Sequence, residues 1–152
     1  MNQSLKYGID VFLQQPNVFK HKRIALVTNN AATTSTGELS RAALLKNGFN
    51  ITTIFSPEHG ISTTGDDGAY QQNITDTVTG LPVISLYADK TAPSTEDLQN
   101  IDLVLFDIPD VGCRFYTYLW TMTHVMEACA ASQKPFVVLD RPNPIGAELT
   151  KA

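Results

Sequence analysis

The sequence predicts an α/β fold: a doubly wound sandwich with a mainly parallel, five-stranded sheet and helices on both faces. Three observations carry this. The chain has 152 residues, 43% of them hydrophobic and 17% charged, and a chain of that size buries about 68–70% of its unfolded surface in one core. Short apolar runs recur that are rich in β-branched and aromatic residues and often lack alternation, the pattern of strands covered on both faces. Helical patterns lie between the runs, which implies βαβ units with right-handed crossovers.

Taken in order, residues 7–20 predict a small helical preface. Arg23-Ile-Ala-Leu-Val-Thr28 is the first strand. Ser35-Thr-Gly-Glu38 has capping-box spacing, so a helix is expected to start there, with Leu39, Ala42 and Ala43 on one face and Gly48 as its stop. Asn50-Ile-Thr-Thr-Ile-Phe55 is the second strand and Leu81-Pro-Val-Ile-Ser-Leu86 the third. The stretch from Ser56 to Gly80 has no periodicity, and a loop that long is uncommon unless it is functional or disordered. Ser94-Thr-Glu-Asp97 can open a shorter helix before the fourth strand, Asp102-Leu-Val-Leu-Phe-Asp107. After Gly112 a longer helix is expected, because Phe115, Tyr118, Leu119, Met122, Val125, Met126 and Cys129 recur at three and four residues. Pro135-Phe-Val-Val-Leu-Asp140 is the fifth strand.

Composition removes several function classes. The net charge is −4, and no basic stripe is present to neutralise phosphates, so no nucleic-acid partner is expected. No apolar run approaches the ~20 residues of a membrane span; the longest, Ile101 to Ile108, carries two aspartates. The N-terminus Met1-Asn-Gln-Ser-Leu-Lys6 is polar, so no signal peptide is expected in this chain, and localisation stays open. Cys113 and Cys129 are expected to be reduced packing thiols. Neither GxGxxG nor GxxxxGK[ST] occurs, so no cofactor is expected. Gly65-Asp-Asp-Gly68 lacks the rest of a calcium loop. His21 reads as a solvated loop residue and His124 as a packed helix residue.

Ligands of open α/β sheets bind beyond the carboxyl ends of the strands, and there the polar residues gather. Asn29 follows the first run. Ser56-Pro-Glu-His-Gly60 follows the second, and proline and glycine shape its tip around Glu58 and His59. A partly shielded glutamic acid can protonate a leaving group. The fourth run ends in Asp107-Ile-Pro-Asp-Val-Gly-Cys-Arg114, where an arginine can hold a carboxylate bidentately. The same spacing also suits a structural Asp–Arg pair at a helix start. The fifth ends in Asp140-Arg-Pro-Asn-Pro, stiff enough to fix Asp140, Arg141 and Asn143.

Four ordered motifs then stand out: Ser56-Pro-Glu-His-Gly60, Thr79-Gly-Leu-Pro-Val-Ile-Ser-Leu-Tyr87, Phe106-Asp-Ile-Pro-Asp-Val-Gly-Cys-Arg-Phe-Tyr-Thr-Tyr118 and Leu139-Asp-Arg-Pro-Asn-Pro-Ile-Gly146. With Gly8-Ile-Asp10 and Val27-Thr-Asn29, they resemble the exo-β-N-acetylmuramidase family of bacterial cell-wall enzymes, long known as a domain of unknown function. The resemblance runs from about Tyr7 onward. It implies that residues 1–152 are a single Rossmann-like N-terminal domain. It also implies a C-terminal domain, absent from this chain, that closes a cleft over the active site. The implied reaction is hydrolysis of terminal β-linked N-acetylmuramic acid from peptidoglycan fragments, with Glu58 as the acid. Such a substrate suggests an exported parent protein.

On this reading Glu58 protonates the glycosidic oxygen. Asp107, or else Asp110, activates water or stabilises the oxocarbenium-like transition state. Asn29, His59, Asp110, Arg114, Tyr116, Asp140, Arg141 and Asn143 are the candidate substrate-binding residues. Arg114 or Arg141 would meet the lactyl carboxylate that only the muramic sugar carries. Alone, the chain is expected to have little activity. The competing reading is a sugar- or muropeptide-binding module without chemistry. A metal-dependent hydrolase using Glu58, His59, Asp107 and Asp110 is disfavoured, since zinc sites draw on His or Cys ligands at set spacings and only one histidine falls at this edge.

Overall fold

A computed structural model describes residues 6–15, 17–62 and 74–145. Gly65-Asp-Asp-Gly68 and most of the aperiodic stretch before Gly80 lie outside them. The order of elements is α1 (Gly8–Leu13), a 3-10 turn (Asn17–Phe19), β1 (Ile24–Thr28), α2 (Ser40–Lys46), β2 (Ile51–Ser56), β3 (Ile74–Thr75), β4 (Pro82–Ser85), α3 (Thr95–Leu98), β5 (Leu103–Asp107), α4 (Tyr118–Ala131) and β6 (Phe136–Val138). The sheet has six strands in the order β3-β4-β2-β1-β5-β6. All neighbours pair parallel except β3 with β4. The five expected strands are therefore present. The sixth, β3, is two exposed residues long, too short and too polar in surroundings to register as an apolar run.

β1 and β5 are buried at every position, and their side chains alternate between two cores. Ala25, Val27, Val104 and Phe106 face a core with Leu98 of α3 and Val125 and Cys129 of α4. Ile24, Leu26, Leu103 and Leu105 face the other, with Ile9 and Phe12 of α1 and Leu44 of α2. This two-sided covering is why the strands read as unbroken apolar runs.

Two helices begin later than their spacing suggests. Ser35 does not cap α2. Residues 34–38 close a turn through Gly37 N–H to Thr34 O (3.0 Å) and Thr34 N–H to Glu38 O (2.8 Å), and Ser35 N–H donates instead to the Asp10 carboxylate. The predicted stop at Gly48 is real: it adopts φ 80°, and Gly48 N–H to Leu45 O with Phe49 N–H to Leu44 O form a Schellman motif. α4 begins at Tyr118, and its buried face is Thr121, Val125 and Cys129. Phe115 precedes the helix and is 92% exposed, while Leu119 and Met126 also face solvent. Those three belong to the expected stripe but not to the core. α3 has the full capping box expected of Ser94 and Asp97.

Both cysteines are free thiols. Burial pushes the Cys129 thiol up to about 11, whereas Cys113 is exposed, so only the first is a packing thiol. His21 is exposed, and His124 is partly buried on α4.

The N-terminal preface docks tightly. Gly8 N–H donates to Asp140 O at 2.6 Å, and a Cβ at Gly8 would collide with the Asp140 nitrogen and the Leu139 carbonyl carbon. Both are backbone atoms and cannot swing away. Gly8→Ala is therefore expected to destabilise the fold by about 1–3 kcal/mol or more, read as a lowered urea midpoint. An unchanged midpoint would mean that α1 does not dock as described.

Candidate active site

The strand order, apart from β3, reverses between β1 and β5, and this is the position where open α/β sheets hold ligands. β1 delivers Asn29 there, fully buried. Its Oδ1 accepts from Ala31 N–H at 3.0 Å, and its amide lies toward the Tyr118 phenol.

β2 delivers Glu58. After Ser56 the chain makes a tight turn closed by Gly60 N–H to Pro57 O at 3.0 Å. His59 takes the third position with φ 67°, the angle that a type II turn demands and glycine ordinarily supplies. A histidine there costs about 1–2 kcal/mol, and such strain collects at functional sites. Asn30 N–H bonds to Ile61 O at 2.8 Å, tying the turn to the loop after β1. Glu58, half-buried, accepts at Oε2 from the Thr117 hydroxyl at 2.8 Å. Tyr118 lies beside it. Its phenol is pushed up first by burial, then by Tyr116 and the Glu58 charge, with the Asn29 amide opposing. Tyr116 packs edge-on to Tyr118 at 5.8 Å between ring centroids. Asn29, Glu58, Tyr116, Thr117 and Tyr118 thus form one cluster.

A second cluster surrounds Asp107, which is wholly buried. Both its oxygens accept from Arg141, at 2.7 Å from Nε and 2.9 Å from Nη2. Arg141 also donates to Ser40 Oγ at 3.1 Å and lies 5.5 Å from the Tyr7 ring centroid. The arginine that holds Asp107 is thus Arg141 from beyond β6, not the nearer Arg114. Asp140 accepts from Arg141 N–H at 2.8 Å. A cleft of about 210 Å³ opens beyond β5 and β6, bordered by Asp110, Tyr118, Leu119, Asp140 and Arg141. A larger apolar groove of about 520 Å³ lies between α1 and β6, and Glu58 lines neither of the two; Tyr118 is the residue its cluster shares with the smaller cleft.

The remaining candidates lie at the rim. Asp110 is exposed and accepts from Gly112 N–H at 3.0 Å. Asn143 packs against Gly112, which has φ 71°, so the loops after β5 and β6 brace each other. Arg114 is exposed and makes no ion pair among the described residues. No group of three His, Cys, Asp or Glu side chains suited to a metal occurs among the described residues, and no described helix is long and apolar enough to cross a membrane. Thr117 and Tyr118 escaped the sequence reading as site residues, Tyr118 because it fitted the apolar stripe of α4.

Residues 24–151 match the family described as exo-β-N-acetylmuramidase NamZ, N-terminal. The chain belongs to this family. It is 43% identical over 141 residues to peptidoglycan β-N-acetylmuramidase NamZ of Bacillus subtilis (strain 168), covering 91% of this chain and 34% of that protein. Two crystal structures of DUF1343 family proteins from Bacteroides fragilis NCTC 9343 share the fold. One has TM-score 0.80 at 40% identity, covering 93% of this chain and 35% of the other. The second has TM-score 0.74 at 34% identity, covering 93% and 36%. The chain thus spans about a third of the length of these relatives.

One further ion pair braces the loop after β1. Arg41, buried in α2, donates to both oxygens of Asp76 (2.9 and 3.3 Å) and to Asn30 Oδ1 at 2.7 Å. Burial alone would raise the Asp76 carboxyl. Hydrogen bonds from Arg41 and Thr79 and the Arg41 charge outweigh it, so the group sits below its ordinary range. A depressed carboxylate contributes stability that is present above its unfolded value and lost as pH falls through the folded one. Thermal stability is therefore expected to drop below about pH 4, with a shallower slope in Asp76→Asn. An identical slope in the variant would assign the acid sensitivity elsewhere.

Proposed function

We propose that this chain carries the acid of a glycoside hydrolase that releases terminal β-N-acetylmuramic acid from peptidoglycan fragments. The observation that supports it most is Glu58. It is presented on a strained turn, half-shielded, and held by Thr117, in a chain 43% identical to a peptidoglycan β-N-acetylmuramidase. A carboxylic acid so placed protonates the departing glycosidic oxygen.

For the second carboxylate, we assign Asp110 ahead of Asp107. Both Asp107 oxygens are engaged by Arg141, whereas Asp110 is exposed beside the cleft. Asp107 then serves to fix Arg141 and the loop that follows it. Arg114, exposed near the same rim, is the cation for the lactyl carboxylate, in the bidentate geometry that guanidinium offers. Asn29, His59, Tyr116, Asp140 and Asn143 line the sugar site.

A C-terminal domain would complete the cleft and would cover the exposed Leu119 at its border and the exposed Phe115, Trp120 and Ile145. This chain alone is therefore expected to turn over little or no substrate. The test is chromophore release from a nitrophenyl β-N-acetylmuramide by the full-length polypeptide, with the β-N-acetylglucosaminide as control. Release from the muramide alone supports the reading. Binding of muropeptide without any release would favour a non-catalytic module.

A further inference from the structure

We infer that Thr117 is a positioning residue that selects which oxygen of Glu58 delivers the proton; this rests on Glu58 being the acid. Thr117 stands at the residue before α4, where a threonine hydroxyl ordinarily accepts a backbone N–H and caps the helix. It does not do so here: the residue has helical angles, φ −83° and ψ −7°, and its side chain makes no capping hydrogen bond. The hydroxyl is turned to Glu58 instead and donates to Oε2 at 2.8 Å. The backbone carbonyl of Thr117 still accepts from Thr121 N–H at 3.1 Å, so the helix keeps its first hydrogen bond without the hydroxyl.

The consequence for chemistry follows from the two oxygens. With Oε2 accepting from Thr117, the acid carries its proton on Oε1. In the reaction that proton moves from Oε1 to the glycosidic oxygen as the bond from that oxygen to the sugar C1 breaks. The electron pair of the O–H bond stays on the carboxylate, whose new charge spreads onto Oε2 and meets the Thr117 O–H. A neutral hydrogen bond in the ground state becomes a charge-assisted one as the proton leaves. It therefore favours the transition state over bound substrate, and its loss falls on kcat.

The test compares T117V, T117S and E58Q in the full-length polypeptide, using a muropeptide disaccharide. T117V is expected to lower kcat by about 10- to 100-fold, the span for losing a hydrogen bond to a charged group, with KM unchanged. T117S restores most of it. Thermal stability of T117V stays near wild type, because the exposed hydroxyl caps nothing. Wild-type kcat in T117V, beside an inactive E58Q, overturns the role of Thr117 and leaves the acid assignment standing. A loss of kcat that serine does not restore, or one that tracks a lowered melting temperature, also overturns it. An active E58Q, or a wild type without turnover, removes the acid assignment and this inference together.

Discussion

Replacing Glu58 with glutamine is expected to lower turnover of a muropeptide disaccharide by about 10²–10⁴-fold, the usual contribution of general acid catalysis. Glutamine keeps the size of the side chain and can still accept from Thr117, so the turn should survive and only the transferable proton is lost. The size of the effect should depend on the leaving group. A sugar alkoxide is a poor leaving group and needs the proton. Nitrophenolate leaves readily without one. The same substitution should therefore cost far less with the nitrophenyl glycoside than with the disaccharide. Equal losses on both substrates would show that Glu58 acts in some other way, as nucleophile or in binding. A melting temperature at the wild-type value excludes misfolding as the cause of an equal loss.

Removing Arg141 is expected to be the most destabilising single change at the site, at about 3–5 kcal/mol for Arg141→Ala, because it strands a buried charge. Asp107 is wholly buried and both its oxygens accept from this one guanidinium. The arginine is itself almost fully covered, with 6% of its side chain exposed. Replacing the pair together, as Asp107→Leu with Arg141→Met, should cost much less than either single change, since no charge is then left without a partner. Urea titrations of the two singles and the double give the coupling directly. If Arg141→Ala unfolds at the wild-type midpoint, the pair is not structural, and Asp107 returns as a candidate for the chemistry.

The sheet was legible in the sequence to within a residue or two at most strand ends, because five strands are covered on one or both faces and therefore apolar. β1 shows this most directly, with Ile24 and Leu26 in one core and Ala25 and Val27 in the other. β3 was not legible, since an antiparallel edge strand of two exposed residues has no apolar signature. α2 was misplaced because the spacing of Ser35 and Glu38 fits a cap and a turn equally well, and the Asp10 carboxylate, 25 residues away, decides between them.

The strand ends put Asn29, Glu58, Asp107 and Asp140 along one edge of the sheet. Which of them touch could not be read. Asp107 and Arg141 are 34 residues apart, and nothing in the local pattern favours that arginine over Arg114. Thr117 and Tyr118 were hidden for a different reason. Apolar spacing sees the ring of Tyr118 as core and is blind to a hydroxyl that leaves its helix for another loop.

The contact between Gly8 and Asp140 places a constraint on time as well as on space. The partner of the preface is among the last described residues to be made, and at about 5–20 residues per second the ribosome needs between about 7 and 26 seconds to reach it after residue 8. Through that interval Ile9 and Phe12, both buried in the finished fold, have no completed surface to rest on. The nascent chain thus carries an apolar, unseated N-terminal segment until β6 joins the sheet. Chaperone binding in the cell should accordingly concentrate on this segment and cease once β6 has joined the sheet.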